Sequence, residues 1–227
     1  MMDEILEIQF AGWTATPRLP FVISGNALCM PVPSYSTILG IIGCCLGRFV
    51  SPDEVKIGFR YSYDSVATDI ETRRRLQFDG KKIKNHDKGS DAYMREFHIN
   101  PRLTVWIDRL DWRNYFEAPV GTPSLGRSQD LLQITKVAVK KIEPISEGCV
   151  KGCLVPFDMN QIIPGQLMQF AEAYTESDEI GGGRTPVNPM MFVAIHGGAS
   201  GGVKMKNPHL YRTVEEYFID FYLHSFS

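Results

Sequence analysis

Residues 36–63, STILGIIGCCLGRFVSPDEVKIGFRYSY, decide the fold class, because two different hydrophobic periods meet within them. In the first half, Ile38, Leu39, Ile42, Cys45 and Leu46 recur at helical spacing, with Ser36 or Thr37 placed to cap the N-terminus. In the second half, Val55, Ile57, Phe59, Tyr61 and Tyr63 alternate with Lys56, Gly58, Arg60, Ser62 and Asp64, the clearest strand in the chain. Upstream, Leu6, Ile8 and Phe10 alternate with Glu7 and Gln9, which predicts a half-buried first strand. Residues 103–107, 132–139 and 191–195 are further strand candidates. A strand, a crossover helix and a strand, with mainly strands after them, read as α+β. The C-terminus fits two periods equally: Leu210, Val214, Tyr217, Phe218 and Phe221 suit a helix, whereas Tyr217, Ile219, Phe221 and Leu223 suit a strand. That segment stays unassigned.

The helix carries a second stripe, Ser36, Gly40, Gly43 and Gly47. Each glycine costs a helix about 1 kcal/mol relative to alanine, so the stripe predicts a close neighbour, expected to be a tight helix–sheet contact inside the fold.

The chain has 227 residues, 44% apolar, 22% charged and 11% aromatic. This composition excludes disorder, collagen and coiled coil, and the length suits one large domain or one domain with an elaboration. The five cysteines, Cys29, Cys44, Cys45, Cys149 and Cys153, form no disulfide framework and suit a reducing cytoplasm. Residues 1–10 carry Asp3, Glu4 and Glu7 without a basic stretch, so they do not read as a signal peptide. Residues 19–47 lack charge, but Pro20, Pro31 and Pro33 interrupt them, and only 38–46 is densely apolar. That is about half of the roughly 20 residues a membrane-spanning helix needs.

Net charge is only −2, yet it is unevenly spread. Residues 73–95 hold eight basic side chains (Arg73, Arg74, Arg75, Lys81, Lys82, Lys84, Lys88, Arg95) against Asp79, Asp87 and Asp91, so this segment is +5 on a body of −7. Polar and glycine-punctuated around 85–90, it reads as a long excursion or hairpin with the charge of a phosphate-binding surface.

Other motifs carry less. Residues 198–202 match G-x-S-x-G, but Pro208 forbids a following helix and no room remains for a downstream acid and histidine, so a glycine turn is expected rather than a nucleophile elbow. Gly181, Gly182, Gly183 and Arg184 could cradle an anion with backbone N–H groups and an arginine fork, without being a nucleotide-hydrolysing loop. Cys149 and Cys153 lack a second ligand pair, so no metal site is expected; Cys44 and Cys45 read as core. His98, beside the basic segment, is the one candidate general base for metal-free RNA cleavage.

Gly12-Trp13-Thr14-Ala15 with Arg18, residues 31–40 (PVPSYSTILG) with Gly43 and Gly47, Asn100-Pro101-Arg102-Leu103-Thr104, and Leu125-Gly126-Arg127-Ser128-Gln129-Asp130 follow one another in an order that resembles the CRISPR-associated Cas-five family of the RAMP superfamily. The resemblance implies a ferredoxin-like, RRM-type domain over 1–145, with a β-hairpin thumb at about 70–100 and a β-rich remainder, 146–227, in the same globule. It implies a cytoplasmic subunit of a type I Cascade surveillance complex that holds the 5′ handle of CRISPR RNA and contacts the backbone subunits, the large subunit and, within the complex, target DNA. No cofactor, metal or membrane enters that role. One branch of the family cleaves precursor RNA with a tyrosine and a lysine–histidine pair; Lys140-Lys141 here has no histidine beside it. The expectation is therefore a noncatalytic RNA-binding subunit, the alternative being a metal-independent endoribonuclease with His98 as base. In the first reading Arg18, Arg73, Arg74, Arg75, Arg127 and Arg184 supply phosphate forks, Lys81 and Lys82 attraction, and the backbone near Ser36 and Gly182 a cradle. Tyr35, Trp13 and Phe78 are stacking candidates, with core packing expected of Trp13 sooner than of Tyr35. Asp130 is expected to orient Arg127.

Overall fold

The computed structural model describes residues 3–19, 26–175, 183–198, 202–214 and 218–226. The first strand, β1 (Glu4–Gly12), is buried on both faces rather than one. Leu6, Ile8 and Phe10 enter the main core, while Ile5 joins Trp106, Ile142, Phe221 and Leu223 in a second cluster. Glu7 lies on the same face as Ile5 and is only 3% exposed. Its carboxylate accepts hydrogen bonds from Trp106 Nε1 (3.0 Å) and Gln9 Nε2 (2.9 Å), which is what lets a glutamate sit inside.

The two-residue strands β2 (Thr14–Ala15) and β3 (Asn26–Ala27) precede helix α1 (Tyr35–Leu46). Its cap is Ser34, whose hydroxyl accepts the Thr37 N–H at 3.3 Å, two residues before Ser36 and three before Thr37, the caps expected as alternatives. Gly47 ends it in the left-handed region (φ 70°). Tyr35, Ile38, Ile42 and Cys45 bury the inner face against Ile8, Phe59 and Tyr61.

β4 (Ile57–Ser62) follows, then β5 (Ser65–Phe78) and β6 (Ile83–Ile99), which pair as a long antiparallel hairpin, then β7 (Arg102–Ile107). β7 lies between β1 and β4, antiparallel to both. The second helix, α2 (Arg113–Glu117), is one turn long because Pro119 disfavours helical backbone at Ala118. β8 (Leu132–Val150) then returns beside β1, giving the antiparallel order β8-β1-β7-β4.

The rest of the described chain is extended. β9 (Cys153–Pro156), β10 (Gln166–Tyr174) and β11 (Pro186–Ile195) form a three-stranded sheet in the order β10-β11-β9. β12 (Val203–Thr213) pairs with β8 and with β13 (Asp220–His224), and β13 reaches β4, closing the barrel β1-β7-β4-β13-β12-β8. The α+β expectation is therefore corrected to a strand-rich fold with short helices. The open C-terminal segment ends as a strand, and the register shift between Lys206 and Leu210 accommodates Pro208 within β12. No helix among the described residues is long and apolar enough to cross a membrane.

Candidate nucleic-acid interface

Two distant stretches of chain, 14–16 and 127–130, converge on one buried carboxylate, that of Asp130, which is 0% exposed. Thr14 Oγ1 donates to its Oδ1 (2.7 Å) and Thr16 Oγ1 to its Oδ2 (2.6 Å). Arg127 adds its backbone N–H and a two-pronged fork, Nε to Oδ2 at 3.0 Å and Nη2 to Oδ1 at 2.9 Å. Burial raises the pKa of this carboxyl, but Arg127 and the two threonine hydroxyls outweigh it and hold the group at about 2. Backbone bonds finish the node: Thr16 N–H to the Leu125 carbonyl, Gly12 N–H to that of Pro101, and Asn100 N–H to that of Trp13. Gly126 sits at φ 112° so close to Thr16 that a Cβ would lie 2.1 Å from its hydroxyl. The 12–18, 100–104 and 125–130 motifs are thus one structural unit at the base of the hairpin, where β2 pairs with the end of β6.

The hairpin has two unlike faces, read from its register. Asp69/Arg95, Glu71/Tyr93 and Arg73/Asp91 alternate with Thr68/Glu96, Ile70/Met94 and Thr72/Ala92. On the first face charges are largely matched. Arg95 pairs with Glu71 and stands 5.0 Å from the Tyr93 ring, Arg127 reaches within 4.0 Å of Glu71, and Arg75 from the bulge pairs with Asp91 at 2.6 Å. Arg74, Lys81, Lys82, Lys84 and Lys88 are exposed and form no ion pair among the described residues. At the tip, Phe78 (70% exposed) faces Ile83 across the turn.

Two pockets flank α1. One, about 350 Å³, is lined by Arg18, Thr16, Thr37, Gly40 and Gly126; the other, about 430 Å³, by Ser36, Gly40, Gly43, Arg48, Tyr174 and Arg184. The glycine stripe therefore faces these pockets, not a sheet. A Cβ on Gly40 would meet nothing within 4 Å, and the tight approach at Gly43 is to the Arg48 carbonyl that follows the helix.

The fold is shared with a chain of a solved CRISPR complex. The chain superposes on a chain of a solved CRISPR RNA-guided surveillance complex with a TM-score of 0.54 over 87% of this chain and 92% of that one, at 14% sequence identity. A CRISPR protein from Archaeoglobus fulgidus (TM-score 0.48, 8% identity, 96% of this chain and 99% of that one) and a chain of the Type III-B Cmr-beta complex bound to cognate target RNA (TM-score 0.47, 10% identity, 90% and 86%) also match. No protein-family model and no curated protein matches the chain.

Several candidate side chains fall elsewhere than the sequence suggests. Tyr35 is 1% exposed; its hydroxyl donates to the Leu154 carbonyl (2.7 Å) and its ring stacks on His224 (4.2 Å), so it offers no face to a base. Trp13, the stacking candidate for which core packing is expected sooner than for Tyr35, is 86% exposed. His98 is 2% exposed, with Nδ1 2.8 Å from the Tyr61 hydroxyl and its ring stacked on Tyr63 at 3.7 Å. Burial, and then the nearby His196, push its pKa down to about 4. The imidazole is therefore neutral at pH 7 and closed to solvent. Gly182 and the side chain of Arg73 lie outside the described residues, as do residues 199–201 of the G-x-S-x-G match. No group of metal-ligating side chains forms among the described residues. Sequence reading missed Thr14 and Thr16 as partners of Asp130; their signal was two hydroxyl residues alternating just after a glycine-tryptophan turn.

Proposed function

We propose that this chain is a noncatalytic, RNA-binding subunit of a CRISPR effector complex, of the Cas-five kind, that holds the 5′ handle of the CRISPR RNA. The observation that carries this reading is the hairpin: five exposed, unmatched cations on a two-stranded arm whose base is locked by the Asp130 node. Single-stranded RNA is bound through phosphate contacts, stacking of splayed bases and hydrogen bonds to base edges. Arg74, Lys81 and Lys82 on the arm, Arg18 and Arg184 at the pockets beside α1, and the partly exposed Arg127 supply the first; Phe78 supplies a face for the second.

The order β8-β1-β7-β4, with α1 crossing from β1 to β4, supports a ferredoxin-like, RRM-type reading of residues 1–145. Residues 146–227 then add strands that complete the same barrel. Backbone and large subunits of a type I Cascade, and target DNA within it, are the partners this reading names. Purification of the complex from its native host, with sequencing of the bound nucleic acid and crosslinking of handle nucleotides, tests it. Crosslinks from the handle to residues 74–88 support the proposal, and a handle that crosslinks to other subunits alone overturns it.

A further inference from the structure

We infer that Trp13 is a base-stacking platform for single-stranded RNA at the root of the hairpin; this rests on the RNA-binding function proposed above. The chain has three tryptophans, and two are treated as tryptophans usually are: Trp106 and Trp112 are buried, the first with its indole N–H on Glu7, the second beneath the guanidinium of Arg109 at 4.6 Å. Trp13 is left 86% exposed. An indole is the largest apolar side chain, and leaving it in water forgoes the burial that stabilises the other two.

The exposure is not that of a loose tip, because the backbone on each side of Trp13 is pinned. Its own carbonyl accepts the Asn100 N–H at 3.0 Å, and the preceding Gly12 donates to Pro101 at 3.1 Å. A Cβ at Gly12 would lie 2.8 Å from the Leu131 carbonyl, so the chain passes tightly against the 131–132 segment here. The following Thr14 is tied to Asp130, the carboxylate that also holds the Arg127 fork. One rigid node therefore presents an unburied aromatic ring and an oriented guanidinium, and Arg102, opposite Ala11 on β7, is 61% exposed while paired with Asp64 at 2.8 Å. A fixed, exposed aromatic face binds a base by its π-face and is tolerant of sequence. Leu131, 51% exposed, has its backbone beside Gly12, so a protein contact is the competing occupant that the test below separates from RNA.

Trp13 also supplies the test. Of the three indoles it alone is open to solvent, so single-stranded RNA cut from the host's CRISPR repeat should quench the intrinsic fluorescence of the full chain and shield it from acrylamide. Trp13→Ala should weaken binding of that RNA by about 5- to 150-fold, the range for one stacked base, without changing the slope of log affinity against log salt. Trp13→Phe should recover most of the loss. Equal urea midpoints of the three proteins would show that folding is untouched. RNA binding with unchanged Trp13 emission and an affinity within twofold in Trp13→Ala overturns the inference while leaving the RNA-binding function intact. Loss of a protein subunit from the complex on Trp13→Ala, with RNA affinity kept, overturns it in favour of a protein contact. Failure of the unmodified chain and its complex to bind the RNA at all overturns both.

Discussion

Arg127 lies across Asp130 as a fork, Nε and Nη2 each within 3.0 Å of a carboxylate oxygen, although the arginine is partly exposed and the aspartate wholly buried. The pairing fixes where a cation can meet a phosphate. Six further donors, two hydroxyls and four backbone N–H groups around them, hold the motifs in one frame. Removing one partner of a buried pair strands the other. Asp130→Ala should therefore destabilise the protein by about 3 kcal/mol in urea unfolding, and Arg127→Met in that background should cost little more. Independent, additive losses would show that the pair is not a unit.

The hairpin's charges divide into matched and unmatched sets, which predicts unequal effects on RNA. Replacing Arg74, Lys81 and Lys82 together with alanine should flatten the salt dependence of RNA binding by about 2 in slope, at about 0.7 per phosphate contact for single strands. Arg75→Ala should change the slope far less, because Arg75 already faces Asp91 at 2.6 Å. Equal effects of Arg75 and Arg74 would mean that the ion pair opens for RNA.

His98 gives a pH signature with a definite sign. Its folded pKa of about 4 lies below the usual 6.5, so the unfolded chain binds the proton more readily. Its contribution to stability is complete above pH 6.5 and is lost as pH falls toward 4, by at most about 3 kcal/mol. His98→Gln should be less steep over that window when its unfolding free energy is subtracted from that of the unmodified protein. Parallel curves would place the proton elsewhere.

How much of this was legible follows from the range of each interaction. The β4 strand, the crossover helix and the excursion at 73–95 were legible because their signals are local: alternation, helical spacing, a run of charge. Arg127 and Asp130 are three residues apart, and their pairing could be read as well. Barrel closure could not. Glu7 and Gln9 look like the wet side of β1, and only Trp106, ninety-nine residues away, makes Glu7 an interior group. The exchange of roles between Tyr35 and Trp13 has the same origin. Tyr35 is buried because its hydroxyl finds the Leu154 carbonyl 119 residues on, whereas Trp13 is held out by a turn whose partners, Asn100 and Pro101, also come from another strand end. Aromatic residue types alone cannot tell such positions apart.

Nuclease activity offers a separate check. His98 is enclosed by Tyr61 and Tyr63, and no other histidine occupies the node around Asp130. Precursor repeat RNA incubated with the purified chain in EDTA should remain intact. Discrete cleavage that disappears in His98→Ala would restore the endoribonuclease reading.

Two glycines in the recognised motifs should respond in opposite ways to alanine. Gly40 lies mid-helix, with open space where a Cβ would go, so Gly40→Ala gains helix propensity without a clash and should stabilise the protein by up to about 1 kcal/mol. Gly126 has φ 112°, and a Cβ there would lie 2.1 Å from Thr16 Oγ1 and 2.4 Å from the Thr16 carbonyl oxygen. Neither obstacle can swing away, since the hydroxyl is bound to Asp130 and the oxygen is backbone. Gly126→Ala should therefore destabilise by more than the roughly 1 kcal/mol that Gly40→Ala can gain, and should loosen the Arg127 fork with it. Thermal unfolding of the two variants side by side measures the difference. A Gly126→Ala protein as stable as the original would mean that the 125–130 turn can reach a second backbone conformation, and that the Asp130 node is less rigid than its hydrogen bonds imply.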